Sequence, residues 1–196
     1  MHFEHLNRTY RRRTYRQIVR NLYAFALIGV PLFLFVLAMP AAAQTLPPEA
    51  AALAGAREAG GGAFRYFGLL VYDAKLWTAG PRFDAEAPFA LGIRYARNIK
   101  GLKLAEESVK QWRGMRYGFE DKYEAWEAEM RRIFPDVKPD DELVGVHLPG
   151  KGAQFYFNGK PAGEVADRAF ARAFFAIWLD ERTTEPGLRR ALIAEK

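Results

Sequence analysis

A chain of 196 residues without cysteine has neither disulfides nor thiolate metal sites to hold it together and must rest on its core. Of the formal charge of +6, most lies at the start of the chain, where six arginines oppose one glutamate; the remainder carries about +1. A nucleic-acid binder needs a basic face on its folded part, so that partner class is excluded.

The basic start, Arg8, Arg11, Arg12, Arg13, Arg16 and Arg20, precedes an apolar run over 22–39 and then Pro40-Ala41-Ala42-Ala43-Gln44. Basic then apolar then small is the order of a signal peptide, so 1–43 is expected to be a leader cleaved after Ala43, and the product a periplasmic or otherwise exported protein. The alternative is an uncleaved anchor, because a run of about eighteen apolar residues can just cross a bilayer. Residues 44–61, rich in Ala, Pro and Glu and running into Gly60-Gly61-Gly62, are expected to be a linker or arm before a single domain over 62–196.

From 64 to 77 the residues alternate: Leu70, Tyr72, Ala74 and Leu76 fall on one face, Asp73 and Lys75 on the other, which predicts a strand. A break at 78–81 precedes a second alternating run, with Phe89, Leu91, Ile93 and Tyr95 on one face. After Gly101 the period changes to three and four. Leu104, Val109 and Trp112 suit one helix; Phe119, Tyr123, Trp126, Met130, Ile133 and Phe134 suit another, stopped by Pro135. Residues 142–148 alternate again, a Pro149–Gly152 turn reverses them, Ala153, Phe155 and Phe157 return, and Asn158-Gly159 makes a further tight turn. Phe170, Phe174, Ile177 and Trp178 mark a third helix, and Thr184 before Pro186 reads as the cap of a short fourth. Strands and helices in this order predict an α+β domain, an antiparallel sheet with helices on one face.

Beyond the leader there is one histidine, His147, and one serine, Ser108, and the serine lacks the strained glycine-flanked elbow of a hydrolase nucleophile. A zinc or copper site needs several nitrogen or sulfur ligands, and the acids Asp136, Asp140, Asp141 and Glu142 lack the spacing of a calcium loop. The glycines at 60–62 and 150–152 lack the surroundings of a phosphate loop. No metal, no cofactor and no catalytic residue is assigned. The groups left for orienting a polar head are Arg65, Tyr72, Tyr95 and Arg97, all on or beside apolar strands.

The stretches Val71-Tyr72-Asp73-Ala74-Lys75-Leu76-Trp77, Tyr95-Ala96-Arg97-Asn98-Ile99, Asn158-Gly159 and Phe174-Phe175-Ala176-Ile177-Trp178-Leu179, in this order, make the chain from 62 to 194 resemble bacterial chalcone isomerase-like proteins. That resemblance implies an open-faced β-sandwich, a large antiparallel sheet covered by a helical layer with a ligand cleft between. Plant members are true chalcone isomerases, with an arginine, two threonines, a tyrosine and an asparagine around an apolar cleft, or fatty-acid-binding relatives. Here the first threonine falls at Tyr72, the tyrosine near Leu104, the asparagine near Gln111 and the second threonine near Ile177. Leu104 and Ile177 cannot donate to a developing oxyanion, which argues against chalcone isomerisation. A tyrosine at the first position resembles the fatty-acid-binding relatives, so the resemblance makes Arg65 and Tyr72 the expected carboxylate clamp.

The expectation is an exported, non-catalytic domain that binds an apolar small molecule such as a fatty acid and meets the membrane only through its leader. Two alternatives stand beside it: a lyase or isomerase using Tyr95, Arg97 or Lys103, and a ligand-free scaffold in which Trp77, Trp112, Trp126 and Trp178 are core or interface residues.

Overall fold

The computed structural model describes Leu53 and residues 55–195. The chain divides into two units, Met1–Ala41 and Ala42–Lys196, and the described residues belong to the second. The leader, the Ala43 cleavage point and most of the expected arm lie outside the described residues.

Six strands follow one another across a single sheet in chain order, each antiparallel to the next. They are β1 (Arg57–Tyr66), β2 (Leu69–Thr78), β3 (Phe89–Tyr95), β4 (Glu142–Leu148), β5 (Gly152–Phe157) and β6 (Lys160–Val165). Between β3 and β4 the chain leaves the sheet to form α1 (Gly101–Gly114), a 3-10 turn at Glu120–Lys122, and α2 (Tyr123–Ile133). The foot of this excursion is closed by a bridge in which Ile99 and Val137 exchange backbone hydrogen bonds, both 2.9 Å. After β6 come α3 (Arg168–Leu179) and α4 (Pro186–Leu192). This is the α+β sheet-and-helix layer expected from the sequence.

The helices cover one face because each carries one apolar stripe. Trp112 of α1, Trp126 and Met130 of α2, and Phe170 and Phe174 of α3 are buried against Leu91, Phe155 and their neighbours on the sheet. Indole donors then fix the helices to one another. Trp112 Nε1 donates to the Ala173 carbonyl at 2.7 Å, joining α1 to α3, and Trp126 Nε1 donates to Asp167 at 3.0 Å. The same Asp167 carboxylate caps α3 by accepting from the Ala169 and Phe170 amides, satisfying donors that a helix start leaves open. The opposite sheet face holds a smaller cluster of Leu53, Trp77, Ala90, Val144, Val146 and Tyr156.

Four local expectations differ from the structure. Phe119 is not in the helix that Pro135 stops: at φ 62° it is left-handed, and α2 starts at Tyr123. The run over 64–77 is not one strand: Phe67 and Gly68, at φ 46° and 78°, fold it into a hairpin with both turn residues left-handed. That is the turn usually written Asn-Gly, as in Asn158-Gly159 between β5 and β6 at φ 48° and 76°, and a phenylalanine in the first position conceals it. The glycines at 60–62 do not end an arm; they lie inside β1, which starts at Arg57. Their lack of side chains lets α4 lie on the strand, since a Cβ on Gly60 would run into the Ala191 carbonyl and one on Gly62 would come within 2.9 Å of Leu188. Thr184 does not cap α4: its hydroxyl donates to Gln111 Oε1 at 2.7 Å, and Glu185 occupies the cap position with no side-chain bond.

Candidate functional site

Three aromatic side chains stand in a row across β1, β2 and β3, because Phe64 pairs with Tyr72 and Tyr72 with Tyr95 in the sheet register. The Phe64 and Tyr72 rings stack at 5.1 Å, and the Tyr95 ring meets Tyr72 edge-on at 6.3 Å. This row floors a cleft of about 750 Å³ between the sheet and helices α1 and α3. Ile93 and Leu143 extend the floor; Leu104, Phe174, Ile177 and Trp178 supply the roof. Its rim is charged: Lys103 pairs with Glu106 at 2.6 Å and Lys110 with Glu107 at 3.0 Å, and Glu185 adds a further acid.

Two hydroxyls reach into this apolar space. The Tyr72 oxygen accepts from Trp178 Nε1 at 3.0 Å, which leaves its own proton free to be donated. Burial raises the Tyr72 pKa well above the ordinary tyrosine range, the indole bond opposing it and the Glu185 charge adding to it. Burial likewise raises that of Tyr95, with Tyr72 adding a little. Both therefore stay protonated at any physiological pH and are hydrogen-bond donors, not bases. Among the described residues the Tyr95 hydroxyl has no hydrogen-bond partner, although the residue is only 6% exposed.

Of the four residues singled out in the sequence, the cleft brings together Tyr72 and Tyr95 and leaves out Arg65 and Arg97. The hairpin explains the Arg65 correction. The β1 residue opposite Tyr72 is Phe64, and beyond it the strands slip by a bulge, so the Arg65 side chain is exposed and its Nη1 lies 3.4 Å from the Gly68 carbonyl. Arg97 is exposed too, with Nε donating to the Leu70 carbonyl at 3.0 Å. The expected Arg65–Tyr72 clamp is not formed. Tyr72, Leu104, Gln111 and Ile177, the four positions that the resemblance matches to polar enzyme residues, all line this cleft.

Ser108 also lines this cleft, but its hydroxyl donates to the Leu104 carbonyl at 2.9 Å, as a helix-interior serine commonly does. His147 lies in β4 beside a different cleft of about 540 Å³, stacked on Phe89 at 4.8 Å, so the two halves of a Ser-His pair serve separate spaces. The arginines around that second cleft are engaged, Arg172 with Glu86, Arg182 with Asp180 and Arg189 with Glu195. Two of the acids near 136–142 have structural partners: Asp136 accepts from the Gly101 amide and Lys100, and Asp141 from the Lys138 amide and Asn158. Among the described residues no group of three or more His, Cys, Asp or Glu is arranged to hold a metal ion.

A sheet covered on one face by helices, with an apolar cleft between them, is joined by a sequence match: the profile described as chalcone isomerase-like covers residues 62–194. The chain belongs to the chalcone isomerase-like family. An uncharacterized protein of Haemophilus influenzae is 29% identical over 126 residues, 64% of this chain, and the chain spans 61% of that relative's length. The crystal structure of a fatty-acid binding protein of Arabidopsis thaliana superposes with a TM-score of 0.56 at 12% identity, covering 71% of this chain and 87% of that one. At that identity the likeness is one of fold. In this member of the chalcone isomerase-like family the cleft is lined by three tyrosines, Tyr66, Tyr72 and Tyr95, and by no arginine.

Proposed function

We propose that the domain binds an apolar small molecule with a polar head, of the fatty-acid kind, in the cleft between sheet and helices, and does not transform it. The observation that carries this is the pair of protonated hydroxyls, Tyr72 and Tyr95, in a largely apolar space of about 750 Å³. A volume within the roughly 300–1,000 Å³ of small-molecule sites, apolar walls and a few convergent donors are the features of a preformed binding pocket. A carboxylate or carbonyl oxygen accepts from both phenols while the acyl chain lies along Ile93, Leu104 and Ile177; a charged acceptor strengthens each bond. The fatty-acid binding neighbour lends support at the level of fold.

Turnover is disfavoured by the same geometry. Proton abstraction needs a base near the reacting carbon. The titratable groups of the wall other than its three tyrosines are Lys103, Glu106, Glu107, Lys110 and Glu185; the first four form two ion pairs with each other, which leaves Glu185 as the one acid outside them.

The basic and apolar start of the chain supports an exported site of action. One experiment addresses ligand and export together: the full chain is expressed in a bacterial host, recovered from the exported fraction, and weighed under native and then denaturing conditions. An adduct of fatty-acid mass lost on denaturation is expected, together with a denatured mass that begins at Gln44. A bare native mass, with no uptake of added fatty acid, would overturn the binding reading; protein retained inside the cell would overturn export.

A further inference from the structure

The hairpin that joins β1 to β2 ends in large apolar side chains with nothing over them: Tyr66 is 63% exposed, Phe67 88% and Leu69 58%. The left-handed turn at Phe67-Gly68 fixes their projection, and the Tyr66 and Phe67 rings hold each other edge-on at 4.6 Å. Two cations flank the tip. Arg65 reaches the Gly68 carbonyl and Arg97 the Leu70 carbonyl, and neither has a carboxylate partner among the described residues. Tyr66 is at once part of this tip and part of the cleft lining.

We propose that this tip docks the domain on an anionic lipid surface, so that an apolar ligand passes between bilayer and cleft beside Tyr66. The proposal rests on the binding reading above and names the source of the ligand. Tyrosine and other aromatic rings partition to the membrane interface, where an apolar body and a polar edge are both accommodated. Arginines beside them, free of protein acids, are attracted by the surface potential of anionic lipid. The shape favours a bilayer over a folded protein partner. A stable protein interface covers about 800 Å² on each side, whereas these side chains crown a two-residue turn and form a wedge with a basic collar. No described helix is long and apolar enough to cross a membrane.

The test uses the exported, leader-processed chain and vesicles of phosphatidylcholine with and without phosphatidylglycerol, read by co-sedimentation. Binding that needs the anionic lipid and weakens with salt is expected. Arg65→Gln should weaken it roughly fivefold. Phe67→Asn should weaken it on the order of tenfold by removing the ring that enters the lipid interface. That variant creates an Asn-Gly turn, which favours the same left-handed geometry, so loss of folding does not confound the result. Native mass spectrometry of the same samples keeps the two readings apart. Ligand in the cleft without vesicle binding would overturn the docking alone; vesicle binding with a cleft that takes up no fatty acid would overturn the binding reading and, with it, the transfer role. Self-association of the wild-type chain abolished by Phe67→Asn would overturn the proposal in favour of an interface between copies.

Discussion

The Trp178 indole, near the end of α3, donates to the hydroxyl oxygen of Tyr72, in the middle of β2, over 3.0 Å. This one bond ties the roof of the cleft to its floor and fixes the direction in which the phenolic proton can point. Tyr95, on the next strand, offers a hydroxyl to the same space with no such tie. The two residues look alike in sequence and are set apart by this bond.

Removing each hydroxyl should therefore have different effects. Tyr72→Phe leaves the Trp178 N–H without its acceptor and should cost about 1 kcal/mol of stability, seen as a lower urea midpoint, along with ligand affinity. Tyr95→Phe breaks no protein hydrogen bond and should leave stability within about 0.5 kcal/mol while weakening carboxylate binding by up to about tenfold. Equal stability losses in the two variants would contradict this division, and Trp178 fluorescence should change only in the first.

Arg65→Ala and Arg97→Ala should leave the affinity for a soluble fatty acid unchanged, because both guanidiniums are exposed and bond to the backbone outside the cleft. A calorimetric loss of tenfold or more in either variant would return the carboxylate clamp to Arg65 or Arg97.

Acid should weaken the fold through His147. Burial lowers its pKa, the Glu86 charge and the Ala85 carbonyl oppose the shift, and Arg172 adds to it. Its Nδ1 is buried without a partner. The unfolded chain thus takes up the proton first, near pH ~6.5, so the contribution to stability is complete above that value and is lost as pH falls toward the lower folded pKa. Urea midpoints measured from about pH 8 to about pH 5 should fall for the wild type, and His147→Gln should flatten the part of the slope that begins near the unfolded value.

Gly60→Ala should destabilise the domain by about 1–3 kcal/mol, since the added methyl meets the Ala191 carbonyl and forces α4 off β1. Gly114→Ala, at the end of α1 with nothing within 4 Å of the new Cβ, should be neutral or stabilise by about 0.5–1 kcal/mol. Thermal melts of the two variants provide the comparison.

Period and punctuation made most of the sheet and the helices readable. Alternation around Ala74 and Leu76, Leu91 and Ile93, and Val144 and Val146 marks strands whether or not their partners are known, and Pro135 does end α2 near where the spacing stops. What stayed hidden depends on contacts between distant residues. A Phe-Gly turn carries no sequence mark of left-handed geometry, so Arg65 was expected on one strand with Tyr72 when it belongs to the partner strand and faces away. The glycines of β1 have meaning only once α4 is laid over them. Thr184 precedes a proline as a cap would, but Gln111 of α1 is the partner that claims its hydroxyl. The Tyr72–Trp178 bond spans 106 residues, and nothing local to either announces it.

The order of the strands also bears on how the chain finds its fold. Four of the five strand pairings join segments that are close in sequence and need only short loops to close. The exception is β3 with β4, which must wait for α1 and α2 to be looped out between Tyr95 and Glu142. Loop closure of that length is the largest entropic toll on the way to the sheet, and topology of this kind governs rate more than stability. The Ile99–Val137 bridge shortens the loop to be closed, and across it two three-stranded antiparallel halves become one continuous surface against which α3 packs.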